Sequence, residues 1–225
     1  MTVEEAVRAR MSVRAFTDQP VSEAEVRALL EAARFAPSGG NLQPWKVIVV
    51  AGAAKQAVSE AARAAIAANP KGEAGDRPIY PAEVVEPYRS RRFKVGEDMY
   101  GLLGIPREDK FARLAHMARN YEFFGAPVGL FFVIDEAMGH GQWAHVGMFM
   151  QTIALLAQER GLSTCMQEAW AMARQTLKAH FGLAPHEMVY CGMALGHAAD
   201  APVNTLRAER APVEEFARFE GFPAP

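Results

Sequence analysis

Residues 36–45 read Ala-Pro-Ser-Gly-Gly-Asn-Leu-Gln-Pro-Trp, a stretch that joins a predicted helix to a predicted strand. The paired glycines would let the backbone approach a ligand closely. Polar donors and acceptors surround them at Ser38, Asn41 and Gln43. Trp45 adds a large apolar wall. A turn that only joins a helix to a strand does not require these polar and aromatic groups. The stretch is therefore either a helix-to-strand turn with more polar groups than usual or a ligand-binding loop.

The segments on either side of this loop predict helices that alternate with short strands. Ser22 and Glu25 form a capping box at the start of a run with helical spacing. Short apolar runs predict strands at 46–50, 128–134 and 188–195, and other segments predict helices near 2–9, 53–67, 97–103, 107–123 and 146–159. This alternation indicates mixed α and β structure around one sheet.

Upstream of the loop, Arg10, Ser12 and Arg14 alternate with apolar residues. In an extended segment all three side chains lie on one side, with about 7 Å between successive members. Two guanidinium groups and a hydroxyl in that arrangement could close on one phosphate through charge-assisted hydrogen bonds. A solvated basic stretch is the other interpretation.

The C-terminal part of the chain carries a second pair of arginines with a regular spacing. Asn204, Arg207 and Arg210 follow one another at intervals of three residues before Pro212. Taken alone, a surface helical turn with exposed arginines explains this spacing better than a binding site does.

The bulk composition favours one globular domain and excludes several kinds of partner. The length of 225 residues, half of them hydrophobic, allows a substantial core. A net charge of -2 gives no general attraction to nucleic acid or to an anionic membrane. No run of about 18 apolar residues and no secretory leader are seen, so we expect a cytoplasmic protein. Cys165 and Cys191 are expected to stay reduced in the core.

Common catalytic and cofactor-binding motifs are absent from the sequence. It contains neither a glycine-rich dinucleotide turn nor a P-loop, and neither a nucleophile elbow nor a paired-histidine zinc motif. His140 and His145 are five residues apart, a spacing that does not place two ligands on one helix face. We therefore predict no metal and no catalytic side chain, so any redox chemistry would need a borrowed cofactor.

Taken together, the three polar stretches resemble a known family. Arg-x-Ser-x-Arg at 10–14, the loop at 36–45 and Asn-x-x-Arg-x-x-Arg-x-Pro at 204–212 are similar to motifs of the nitroreductase superfamily. The resemblance runs from residue 5 to about 220, and the combination of the first two motifs is specific. It implies an α+β fold, a three-layer α-β-α sandwich with a mostly antiparallel central sheet.

The resemblance also implies an intertwined homodimer with one FMN at each of two subunit interfaces. Residues 1–200 would form a single FMN-binding domain, from which an excursion departs at about 70–120. Residues 201–225 would form a C-terminal arm that embraces the partner subunit. The helix at 146–159 would lie at the centre of the dimer.

The family's cofactor-binding positions carry over to three groups of residues. The phosphate and ribityl end of FMN would contact Arg10, Ser12, Arg14, Arg207 and Arg210. The loop of the other subunit would line the isoalloxazine ring through Pro37, Ser38, Gly39, Asn41 and Gln43. The opposite side of the ring would lie along Met166, Gln167, Glu168 and Ala169. Here Met166 and Ala169 stand where well-known members have Pro and Gly, and Ala169 retains the backbone N–H for flavin N5.

In relatives the excursion usually covers the exposed face of the flavin. It therefore supplies candidate substrate contacts at Tyr88, Arg89, Arg92 and Phe93. The basic residues among them could equally form a solvated face or bind the 2′-phosphate of NADPH.

The implied activity is that of an NAD(P)H-dependent flavoenzyme. It would reduce a small acceptor, such as a nitroaromatic compound or a quinone, by a ping-pong sequence on one flavin face. Nitro reduction fits the missing catalytic residues, because the flavin supplies electrons and solvent can supply protons. The alternatives are a reductive dehalogenase, an enal reductase or a flavin-cleaving enzyme of the same fold, a non-catalytic flavin-binding protein, and a scaffold without cofactor.

Overall fold

A computed structural model describes residues 1–73 and 78–223 of the chain. Within them, four strands form one antiparallel sheet in the order β1-β2-β4-β3. The strands are β1 (Lys46–Ala51), β2 (Val128–Asp135), β3 (Ser163–Gln167) and β4 (Glu187–Gly196). The central pair, β2 and β4, is buried almost throughout, as expected for strands that are covered on both faces.

Helices surround this sheet and also build the excursion. They are α1 (Val3–Ala9), α2 (Glu23–Ala33), α3 (Gly52–Ala68), α4 (Tyr88–Leu102), α5 (Lys110–Ala118), α6 (His140–Glu159), α7 (Arg174–His180) and α8 (Val213–Phe216). None of the helices in the described ranges combines the length and apolar character that crossing a bilayer requires.

Alternate residues of β2 point to two separate cores, one on each face of the sheet. Leu130 and Phe132 pack with α2 and α6, whereas Phe131 and Val133 pack with α3 and α7. All four side chains are fully buried. Because helices cover both faces, the chain forms the three-layer α-β-α sandwich that the sequence predicts.

A bulge in β4 shapes the sheet next to the excursion. Phe132 pairs with Cys191 but Val133 pairs with Val189, so Tyr190 is the extra residue on its strand. At Gly192 a β-carbon would lie only 2.2 Å from the ring of Trp170. Glycine there lets the turn at 168–173 pack directly against the sheet.

Several predicted boundaries differ from the structure. The helix predicted at 146–159 is α6, which begins earlier, at His140. The helix predicted at 97–103 is the end of α4, which begins at Tyr88. The helix predicted at 107–123 is α5, which is followed by a 3₁₀ turn to Gly125. The short strand β3 was not predicted, because its polar ends hide the strand pattern. Residues 74–77 of the excursion and 224–225 of the arm lie outside the described residues.

Candidate functional site

Residues 10–14 run extended beside the edge strand β3. Ser12 forms a parallel bridge with Thr164, and the Val13 backbone N–H donates to the Thr164 carbonyl oxygen at 3.0 Å. Val13 is buried. Because side chains alternate along an extended segment, Arg10, Ser12 and Arg14 share the other side, as their spacing predicts.

The arm brings two further arginines to this side. A cavity of about 340 Å³ lies between residues 7–14 and the arm, and its lining includes Arg10, Ser12, Arg14, Arg207 and Arg210. We call the four arginines the arginine cluster. The five residues predicted to contact the phosphate and ribityl end of FMN come from two distant parts of the sequence, and all five line this one cavity.

Asn204 ties the arm to the extended segment. Its Oδ1 accepts the Arg14 backbone N–H at 2.9 Å, and its Nδ2 donates to the carbonyl oxygens of Ala15 at 2.8 Å and Ala199 at 2.9 Å. These bonds use every polar atom of the amide, so Asn204 fixes the register between the two segments that form the cavity.

The arginine cluster carries positive charge without matching carboxylates. Within residues 1–73 and 78–223, none of the four guanidinium groups forms an ion pair. Burial lowers the pKa of Arg10, and the neighbouring charge of Arg210 lowers it further. Like charges held together in a partly buried cavity are unfavourable on their own. The arrangement therefore favours a bound anion.

A second, larger cavity of about 940 Å³ lies against the end of β3. We call it the ring pocket. One wall consists of Met166, Gln167, Glu168 and Ala169, the four residues predicted to lie along a flavin ring. Thr164, which pairs with Ser12, stands two residues before Met166 on the same strand, a separation of about 7 Å. The strand thus connects the arginine cluster to the ring pocket.

The side chain of Gln167 supports this wall from inside the protein. It is buried, its Nε2 donates to the Asn120 carbonyl oxygen at 2.9 Å, and its Oε1 accepts from Trp170 Nε1 at 3.3 Å. Tyr121 Oη donates to the Ala169 carbonyl oxygen at 3.1 Å. Since these bonds occupy the Gln167 amide, it positions the wall and leaves only its backbone for a ligand.

Glu168 lines the ring pocket, where the protein covers part of its carboxyl group but solvent still reaches it. This partial burial raises the pKa of the carboxyl group above its ordinary value. The residue can therefore hold a proton more readily than an exposed glutamate.

The loop at 36–45 lies apart from both cavities. Pro37, Ser38, Gly39, Asn41 and Gln43 line neither of them. Except for partly covered Ser38, they are exposed. These polar groups are thus presented outward, away from this subunit's own arginine cluster.

Local contacts hold the loop in an uncommon backbone shape. Asn41 and Gln43 have positive φ values of 53° and 50°. The Gln43 backbone N–H donates to Ser38 Oγ at 2.9 Å, and the Gly39 backbone N–H donates to Nδ1 of His145 on α6 at 3.4 Å. Non-glycine residues with positive φ concentrate at functional sites. No local sequence pattern indicates the contact between Gly39 and His145, because the two residues lie 106 positions apart.

The four residues of α4 predicted to contact substrate do not line the ring pocket. Tyr88 and Arg92 line a different cavity, between α4 and the arm. Arg89 pairs with Glu86 at 2.7 Å, and Phe93 lies beneath the guanidinium of Arg107. None of the four lines the ring pocket.

Other parts of the excursion line the ring pocket instead. They are Pro70, Lys71, Gly72, Pro78, Ile79, Tyr80, Leu114, Met117, Ala118 and Asn120. Leu114 and Met117 lie one turn apart on α5 and are both exposed, which is the amphipathic signal that could have identified them. The described residues contain no cluster of side chains suited to a metal ion.

Residues 7–197 match the nitroreductase family. This chain belongs to the nitroreductase family. It is 37% identical to nitrobenzene nitroreductase of Ectopseudomonas oleovorans, with 96% of each chain covered. It is 40% identical to 4-nitrobenzoate reductase of Pseudomonas putida, covering 96% of this chain and 94% of the relative.

A solved structure has nearly the same fold as this nitroreductase family member. The FMN and NADPH-dependent nitroreductase NfnB from Sphigopyxis sp. strain HMH superposes with a TM-score of 0.95 and 44% identity, over 99% of this chain and 100% of the other. The family and the fold expected from the sequence are therefore confirmed.

A buried histidine in the excursion is expected to make this nitroreductase family member less stable in acid. His116 on α5 is buried beside Tyr100 and Phe124, and its Nε2 has no hydrogen-bond partner among residues 1–73 and 78–223. Burial lowers its pKa, and the charges of Arg119 and Arg14 lower it further. The folded protein therefore resists protonation of a group that titrates near pH 6.5 when unfolded.

His116→Phe is expected to reduce the loss of stability in acid. Above about pH 6.5 the imidazole is neutral in both the folded and the unfolded chain, so it adds no pH dependence. Below that pH the unfolded chain binds the proton more readily, so the wild type loses stability as the pH falls. Phenylalanine cannot be protonated. Urea unfolding at pH 7.5 and pH 5.5 measures the difference, and an equal loss in both proteins would contradict this role for His116.

Proposed function

We propose that this chain is an FMN-dependent oxidoreductase that passes electrons from NAD(P)H to a nitroaromatic compound. The arginine cluster beside the ring pocket carries this proposal. The names of the relatives support it, since they are a nitrobenzene nitroreductase, a 4-nitrobenzoate reductase and an FMN and NADPH-dependent nitroreductase.

The residues present fit FMN at both of its ends. A phosphate needs charge-assisted donors, and the arginine cluster with Ser12 supplies them in one cavity. A flat heterocycle needs an extended wall, and residues 166–169 supply one in a cavity of about 940 Å³. Bound there, FMN supplies the hydride and electron transfer that no side chain of this protein offers.

The chain's own groups would bind, orient and exclude water. Asn204 sets the position of the Arg14 backbone, and the Gln167 amide fixes the wall that ends at Ala169. Ile79, Leu114 and Met117 make the open side of the ring pocket apolar, which favours an aromatic acceptor over water. Solvent at the pocket mouth can supply the protons that nitro reduction consumes.

We further propose that the working form is a homodimer in which the loop at 36–45 completes the partner's flavin site. The loop presents polar groups outward and lies apart from its own ring pocket. Its contact with His145 would connect it to α6, the helix expected at the centre of the dimer. A second copy of the chain is the simplest recipient for such a loop.

The decisive experiment is an absorbance spectrum of the purified protein followed by reduction and reoxidation. We expect a yellow protein with one FMN per subunit, bleached within seconds by a nicotinamide under anaerobic conditions. Nitrobenzene or 4-nitrobenzoate should then restore the colour. Bleaching without reoxidation by any nitroaromatic or quinone would indicate a non-catalytic flavin protein, and a colourless protein would overturn the proposal.

Steady-state kinetics should show parallel double-reciprocal lines for nicotinamide and acceptor. In this proposal both reactants would use the same open side of the ring pocket, since the sequence contains no glycine-rich dinucleotide turn that would hold nicotinamide elsewhere. They would therefore bind in turn, and excess acceptor should inhibit by occupying the oxidised enzyme. Initial rates over a grid of both concentrations measure this, and intersecting lines would exclude the shared site.

A further inference from the structure

A third cavity of about 620 Å³ lies between α4 and the arm. We call it the α4–arm pocket. Its lining includes Tyr80, Val85, Tyr88, Arg92, Val95 and Arg210. Aliphatic and aromatic walls with a few charged groups are typical of a site for a small molecule.

Among the charged groups around this pocket, Arg92 stands out because its charge is unmatched. Arg91 pairs with Glu215 at 2.6 Å, and Glu209 pairs with Lys94 at 3.3 Å. The Arg92 guanidinium instead lies over the ring of Tyr80, with Cζ 4.2 Å from the ring centroid, and has no ion pair in the described ranges. Stacking on an aromatic face orients a guanidinium and leaves its N–H donors available.

The pocket adjoins both parts of the proposed flavin site. Tyr80 lines the ring pocket as well, and Arg210 also lines the cavity of the arginine cluster. A dinucleotide whose nicotinamide occupies the ring pocket could therefore pass Tyr80 and place its other end here. Arg91 and Glu209 are paired and Arg210 is shared with the cavity of the arginine cluster, so Arg92 is the positive charge that this pocket offers to an anion. Glu83 is the carboxylate of the lining that remains beside it.

We infer that the α4–arm pocket binds the adenosine 2′-phosphate end of NADPH, with Arg92 contacting the 2′-phosphate. This inference rests on the proposed function and adds the choice between the two nicotinamides. The adenine would lie against the apolar side of the pocket at Val85, Tyr88 and Val95. NADH lacks the 2′-phosphate, so it would bind without using Arg92.

Replacing Arg92 tests this assignment, because the substitution should affect the reaction with NADPH but not the reaction with NADH. For Arg92→Ala we expect kcat/KM with NADPH to fall at least about 10-fold, mainly through KM, since a hydrogen bond to a charged group is lost. The kcat/KM with NADH and the FMN content should not change. The control is Arg63→Ala, which removes an equal charge from the pair with Glu122 on another face.

A binding measurement provides a readout that does not depend on turnover. Adenosine 2′,5′-bisphosphate should bind the FMN-loaded wild type, and Arg92→Ala should weaken that binding at least about 10-fold. Adenosine 5′-monophosphate should bind both proteins equally. Equal losses with NADPH and NADH, a wild type that prefers NADH, or unchanged bisphosphate binding would each overturn the inference. Failure of the proposed function would look different, because the wild type would be colourless or unbleached by either nicotinamide.

Discussion

A chain cut after Ala199 is expected to be monomeric and colourless. The cut removes Arg207 and Arg210, half of the arginine cluster, together with Asn204, whose amide holds Arg14. Each lost contact between a charged group and the phosphate costs about 1.5–3 kcal/mol. The loss of these two arginines alone should therefore lower the FMN affinity roughly 10²- to 10⁴-fold. Loss of the Asn204 hydrogen bonds should lower it further, because they hold the segment at 14–15 in place.

The loss of the dimer follows from what the arm exposes. Phe216, Phe219 and Phe222 are 71%, 67% and 75% exposed, a cluster of large apolar side chains that a lone subunit leaves in water. A second subunit that covered them would gain about 25 cal/mol for each Å² of apolar surface buried. Gel filtration with light scattering gives the mass, and the absorbance near 450 nm gives the bound flavin.

A second cut, after Ala211, separates the two functions of the arm. It keeps Asn204, Arg207 and Arg210 but removes the three phenylalanines. We expect this protein to be monomeric while it still binds free phosphate compounds at the arginine cluster. A chain cut after Ala199 that stayed dimeric and yellow would show that the arm is dispensable for both.

The local parts of this fold could be predicted from the sequence because their determinants are neighbours in the chain. The capping box is present as predicted, with the Ser22 hydroxyl oxygen accepting the Glu25 backbone N–H at 3.2 Å. The alternation at residues 10–14 likewise predicts the common side of Arg10, Ser12 and Arg14, since the period of an extended chain depends on backbone geometry alone.

The rest depended on contacts between distant residues. Strand β3 exists because β4 and Ser12 pair with it, and its five residues carry too little pattern of their own. In the excursion, the four α4 residues predicted to contact substrate lie outside the ring pocket, which Tyr80, Leu114 and Met117 line. The positions of the excursion residues depend on how the excursion packs across the sheet, and this packing cannot be predicted from sequence spacing.

Arg10→Ala is expected to reduce FMN binding without reducing the stability of the flavin-free protein. In the folded chain Arg10 is partly buried beside Arg210, and both effects lower its pKa, so the charged form is disfavoured there. Only a bound phosphate would compensate for that unfavourable arrangement. Removing the guanidinium should weaken FMN about 10- to 150-fold, the equivalent of one charge-assisted contact.

Three comparisons test whether the Arg10 effect is specific to the phosphate: riboflavin binding, the stability of the flavin-free protein and a control variant. Riboflavin lacks that group, so it should bind the wild type much less tightly than FMN does, yet bind Arg10→Ala about as well as it binds the wild type. Urea unfolding of the flavin-free proteins should give Arg10→Ala a midpoint equal to or above that of the wild type, because a like-charge contact has been removed. Arg27→Ala, which removes only an exposed helical pair with Glu23, should leave FMN and riboflavin binding unchanged. A variant that lost FMN and riboflavin in equal proportion, with a lower unfolding midpoint, would instead make Arg10 a structural residue, because the loss would then follow from the fold and not from the phosphate.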